Sequence, residues 1–161
     1  MSKNIRTYTW EAPTAVLEEA KNLSGYEILL RVLEGTLPQA PTLDTIASTL
    51  ISVEKGQAVF NLQPSEFLYN LIGTIHGGMI STVLDTAIGC TLLTTLAAGE
   101  SFTSLDLKVN FLKKITKDSP VLHTATTIIH QGRTTAYLEA RLVDAHGVVY
   151  AHAVSTCMIF R

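Results

Sequence analysis

Asn70 to Gly99, NLIGTIHGGMISTVLDTAIGCTLLTTLAAG, decides the fold. It reads as a polar loop, a His-Gly-Gly turn and a long helix predicted from His76 or Gly77 to Ala97, where Gly99 stops it. His76, Asp85 and Cys90 are its only ionisable side chains. Met79, Ile80, Val83, Leu84, Ala87 and Ile88 form one apolar stripe, while Gly78, Thr82, Asp85, Thr86 and Gly89 recur on another. The second stripe is small and polar, so a partner backbone or a ligand can approach it. A lone carboxylate in so apolar a helix must be hydrogen-bonded, lie at an interface or do chemistry.

Beyond Glu100 the chain reads as successive strands. In TSLDLKVNFL, Leu105, Leu107, Val109 and Phe111 alternate with Ser104, Asp106, Lys108 and Asn110, which predicts one strand of period two. Turn signals at Lys117–Pro120, His130–Gly132 and Asp144–Gly147 divide off VLHTATTII, TTAYLEARLV and VVYAHAVSTCMIF as a meander. Before the helix, LISVE and QAVFNL around Lys55-Gly56 read as an antiparallel pair. Further back, Pro13 opens a helix through Asn22, and Ser24 with Glu27 forms a capping box for a second helix to about Leu33. Gln39 to Thr45 is expected to be a connector. The organisation expected is an arm with accessory helices over 1–42 and one domain over 43–161. A single apolar helix followed by long strands packs most economically with the sheet curled around it, an α+β arrangement.

At 161 residues the chain can bury a core without staples. Charged residues make up only 16% and the mean hydropathy is +0.27, which predicts that some surface is buried between subunits. A net charge of -2 supplies no field for nucleic acid. Cys90 and Cys157 lack metal or disulfide patterning, and His123, His130, His146 and His152 show no metal-ligand spacing, so no metal and no cofactor is expected. MSKNIRTYTWEAPT lacks the apolar run of a signal peptide, and Asp85 with Gly89 interrupts the apolar stretch of the helix. A cytoplasmic protein without a membrane span is the expectation.

Gly77 and Gly78 begin the helix, where unpaired N–H groups and the positive end of the dipole can hold a developing oxyanion. Asp85 follows Gly78 by seven residues, about 10 Å along the axis, too far for both to act on one carbonyl. Pairing with an antiparallel copy would bring Asp85 of one subunit towards Gly78 of the other, a site shared across a twofold axis.

NLIGTIHGGMISTVLDTAIG, TSLDLKVNFLK and AHAVSTCMIF together resemble the hot dog fold acyl-CoA thioesterases of the phenylacetate-degradation (PaaI) type, over about Leu43 to Arg161. The resemblance implies hydrolysis of an acyl-CoA thioester between two subunits of a homodimer or homotetramer. It implies that Asp85 acts as general base or nucleophile, that the Gly78 N–H polarises the thioester carbonyl, and that Asn70 stands near that carbonyl or the water. Ser104 matches a hydroxyl that helps to place the water in some members, and Thr103 beside it could substitute. His76 is weighed as a helix cap before it is weighed as a proton carrier. Lys108, Lys113, Lys114 and Arg133 are candidates for the phosphates of coenzyme A. Two other functions stay open: an acyl-thioester hydratase or dehydratase of the same fold, and a non-catalytic acyl-CoA-binding module.

Overall fold

The computed structural model describes residues 3–161. Three short helices come first: α1 (Pro13–Ala20), α2 (Gly25–Leu33) and α3 (Pro41–Ile46). The strands β1 (Ser48–Glu54) and β2 (Gln57–Leu62) follow, then a 3-10 turn (Glu66–Leu68) and the central helix α4 (Gly77–Leu93). The chain ends with β3 (Ser101–Ser104), β4 (Lys108–Phe111), β5 (Leu122–Gln131), β6 (Thr135–Val143) and β7 (Val149–Phe160). All pairings are antiparallel, in the order β1-β2-β5-β6-β7-β3, with β4 also on β7. The strands β5, β6 and β7 form the expected meander, but the chain crosses the whole sheet after α4 to lay β3 and β4 at the far edge.

The sheet wraps α4, as so apolar a helix requires. Ile80, Val83, Leu84, Ala87 and Ile88 are buried against Phe60 and Leu62 of β2, Leu122 of β5, Leu138 of β6 and Ala153 of β7. At about 25 cal/mol per Å² of apolar area removed from water, burial of this stripe holds the helix to the sheet. No helix among the described residues is long and apolar enough to cross a membrane.

Three expectations need correction. The central helix ends at Leu93, not Ala97, because Thr94 and Thr95 turn their hydroxyls back onto the carbonyls of Thr91 and Leu92 at 2.7 Å each. The backbone tightens there, with Leu96 N–H donating to Leu93 O. Residues 41–46 form α3 and not a connector. Pro41 suits a first helical turn, Leu43 and Ile46 reach the core, and Ala47 closes the helix at φ 54°.

The third correction concerns TSLDLKVNFL, which is two strands. Ser104 pairs with Cys157 and Lys108 with Val154, so four steps on one strand face three on β7. The extra residue makes a β-bulge. Asp106 holds it, taking the Thr156 N–H on its carboxylate at 3.0 Å and the Ser155 hydroxyl on its carbonyl at 2.7 Å. Leu105 is consequently exposed and leaves the face that period two gave it.

The accessory helix α2 is locked to the end of α4. Ser24 and Glu27 form the capping box, Gly25 N–H donates to Leu96 O at 3.1 Å, and Leu29 enters the common core. A Cβ on Gly25 would collide with the Leu93 carbonyl. Gly25→Ala is expected to lower stability by about 1–3 kcal/mol, read as a lower denaturant midpoint at constant slope.

Candidate active site

The bulge aims Ser104. With the strand re-phased, Phe102 and Ser104 face α4, and the Ser104 hydroxyl donates to Asp85 Oδ1 at 3.0 Å. Asp85 is therefore not isolated. Its carboxylate lies on the exposed face of α4 with one oxygen held by Ser104 and the rest open to solvent or a partner. Thr103 alternates to the outer face of the sheet, where it is exposed, and does not join the pair. Gly89 is not on the open stripe: the Phe102 ring covers it so closely that a Cβ would lie 2.8 Å from Cζ.

At the other end of α4, His76 is the N-cap residue, and its Nδ1 accepts the Gly78 N–H at 2.9 Å. The donor assigned to the thioester carbonyl is therefore engaged by a neighbouring imidazole in the free chain. Accepting at Nδ1 requires that nitrogen to be unprotonated, with any neutral ring proton on Nε2. The Phe111 ring lies against Gly77, 2.9 Å from where a Cβ would stand, so any side chain there would have to displace the ring.

Asn70 builds the loop that leads into this end. Its Oδ1 accepts from Ile72 N–H at 3.0 Å and Thr74 N–H at 3.2 Å, and its Nδ2 donates to Thr74 Oγ1 at 2.9 Å. The amide side chain is thus mostly used in closing residues 70–74, leaving one Nδ2 hydrogen uncommitted. The loop is tied to the β4–β5 connection by Ile75 N–H on Ile115 O and to the 3-10 turn by His76 N–H on Leu68 O.

A cavity of about 530 Å³ opens beside this helix end, with Asn70, Gly77, Ile80, Phe111, Lys113 and Lys114 in its wall. The structure thus separates the four candidate cations. Lys113 and Lys114 line the cavity, and Lys108 and Arg133 do not. Sequence could not make that choice, because only the turn after β4 brings the two lysines back to the helix end. Phe111 was also missed: alternation put it on one strand face with Leu105, Leu107 and Val109, whereas the residue is 55% exposed and its ring lies over Gly77.

The two thiols take no part. Burial pushes Cys90 up to about 12, with the Asp85 charge adding to it, and burial also raises Cys157. Neither forms a thiolate near neutrality.

Residues 72–151 match the thioesterase superfamily profile, a span that begins just after Asn70 and contains His76, Gly78, Asp85 and Ser104. A candidate esterase of Saccharolobus solfataricus is 30% identical over 112 residues, 70% of this chain and 78% of that protein. The human protein named acyl-coenzyme A thioesterase 13 is 28% identical over 96 residues, 60% of this chain and 67% of that one. The PaaI protein of the Escherichia coli phenylacetic acid degradation operon superposes with a TM-score of 0.72 at 17% identity, covering 86% of this chain and 96% of that one. At that identity the last likeness concerns the fold, which is the hot dog fold. The chain belongs to the thioesterase superfamily, and the enzyme class that fold and family define is a thioester hydrolase.

Proposed function

We propose that the chain hydrolyses acyl-CoA thioesters at a site completed by a second copy, with Asp85 and Ser104 from one subunit and the Gly78 end of α4 from the other. The observation that carries this is the Ser104–Asp85 pair: a carboxylate held in place by a hydroxyl yet open on its remaining sides. Such a carboxylate can take a proton from water, and a helix N-terminus can hold the charge that then forms on a carbonyl oxygen. In the base reading, Asp85 removes a proton from water as the oxygen attacks the thioester carbon. The oxyanion collapses, the C–S bond breaks, and the sulfur leaves with the electron pair and is protonated to free CoA. In the nucleophile reading, Asp85 itself attacks the thioester carbon, the C–S bond breaks and CoA leaves as a thiolate that is then protonated, and water hydrolyses the resulting mixed anhydride to the free acid and the Asp85 carboxylate. The oxyanion takes the Gly78 N–H from His76 Nδ1, because a charged acceptor outcompetes a neutral imidazole nitrogen. Asn70 shapes the loop and has one N–H left for the carbonyl or the water.

The shared site is supported by surface chemistry. Leu71 and Ile72, at the tip of the Asn70 loop, are 106% and 82% exposed, and Leu105 and Leu112 are more than half exposed on the free edge made by β3 and β4. An open edge strand with apolar groups beside it is suited to pairing with a second copy, as a homodimer or within a homotetramer. The free thiols Cys90 and Cys157 fit a reducing cytoplasmic location.

A panel of acyl-CoAs assayed for thiol release, beside an enoyl-CoA assay for hydration, tests the proposal. Thiol release with an intact panel member supports it; hydration without release favours a hydratase, and binding without either favours a non-catalytic module. Lys113 and Lys114 are assigned to the CoA phosphates. Lys113→Glu with Lys114→Glu is expected to raise KM for the CoA thioester about tenfold while sparing a truncated pantetheine thioester. An equal rise on both substrates would remove the lysines from phosphate binding.

A further inference from the structure

A second cavity, of about 450 Å³, lies on the opposite flank of α4, roofed by the N-terminal helices. Its wall includes Val16 and Leu17 of α1 and Leu29 and Val32 of α2, and its floor is Thr86 and Cys90 of α4. Thr86 directly follows Asp85, and Cys90 lies one helical turn beyond Thr86, so the floor begins at the turn that carries the carboxylate. Glu11 is the only charged residue among the described lining residues, and Leu17 is 66% exposed at the rim. The two cavities flanking the helix therefore differ in charge: one bears two lysines among apolar side chains beside the Gly77 end, and the other has no cation in its lining beside the Asp85 turn.

We infer that this second cavity receives the acyl group of the thioester, so that the N-terminal helices α1 and α2 set the acyl preference. The inference rests on the thioesterase reading. An acyl-CoA has an anionic end and an apolar end joined at the thioester, and the paired cavities match that division. In an antiparallel pair of α4 helices the thioester would lie between Gly78 of one copy and Asp85 of the other, and the acyl chain would pass from Asp85 about 100° round the helix to the face that carries Thr86 and Cys90. The volume falls within the ~300–1,000 Å³ of sites that enclose a small-molecule ligand. Burial keeps Cys90 a neutral thiol, so the floor presents no charge to a hydrocarbon chain. The accessory helices thereby become the specificity wall of the enzyme.

The experiment is kcat/KM for a homologous series from butanoyl- to palmitoyl-CoA with the full chain. Intact protein is expected to gain about fourfold per methylene, the equivalent of ~0.8 kcal/mol, until the cavity is full. Leu17→Trp and Val32→Phe narrow it, and each is expected to lower the ratio of decanoyl- to butanoyl-CoA kcat/KM at least tenfold. Val32→Ala enlarges it and is expected to move the optimum to a longer chain, which keeps the test decisive should either larger side chain prevent folding. Unchanged profiles, or equal losses on every chain length, overturn the inference while leaving hydrolysis established. No thiol release from any member by the intact protein overturns the thioesterase reading and this inference with it.

Discussion

Asp85→Asn is expected to lower kcat for thiol release by about 10² to 10⁴, the range over which a positioned acid or base contributes. Asparagine keeps the volume and retains an oxygen that can accept the Ser104 hydroxyl, now 3.0 Å from Asp85 Oδ1, so the fold and the local hydrogen bond survive. What disappears is the capacity to take a proton from water or to attack the carbonyl. Binding of the CoA thioester, followed by calorimetry, is expected to stay within severalfold, because the lysine-lined cavity does not include Asp85. Ser104→Ala removes only the hydroxyl that holds the carboxylate, and a loss nearer tenfold in kcat with little change in KM is expected. Activity within tenfold of the intact protein in Asp85→Asn would exclude Asp85 as base and as nucleophile. A single turnover in ¹⁸O-water separates the two roles: a base sends solvent oxygen into the released acid, whereas a nucleophile can leave it on the Asp85 side chain.

The apolar stripe of α4 and the strand pattern were legible because both follow from burial at fixed period, 3.6 for the helix and two for the strands. Asp85 stood out for the same reason, as a charge where the pattern allows none. The contact between Asp85 and Ser104 was not legible. It depends on the one-residue bulge between Ser104 and Lys108, and the alternating sequence of TSLDLKVNFL reads across that bulge as if it were absent. The fixing interactions come from β7, distant in sequence, through Ser155 and Thr156. The end of α4 was missed because threonine hydroxyls terminated it before the glycine did. The roles of His76 and Asn70 were only half visible: residue type marked both as loop and cap formers, but which backbone N–H each side chain takes is a property of the folded turn.

Recovery of activity by mixing two inactive variants is the sharpest expectation of a site divided between subunits. Gly78→Pro deletes the N–H proposed to hold the oxyanion, at a first-turn position where proline is compatible with a helix. Asp85→Ala deletes the acid. Each homo-oligomer then lacks one component at every site. In a dimer of one variant with the other, one site carries both defects and the second has an intact Gly78 from one chain with an intact Asp85 from its partner. Random assortment of equal amounts makes half of the dimers mixed, so about one-quarter of wild-type thiol release is expected after co-expression or unfolding and refolding together. Separately refolded samples mixed without exchange are expected to remain inactive. If Gly78 and Asp85 served a site within one chain, no mixed dimer would hold an intact set and co-refolding would restore nothing. That outcome is disfavoured by the helix, since seven residues of α4 hold the two groups about 10 Å apart; the twofold relation between copies is what allows a carbonyl to meet both.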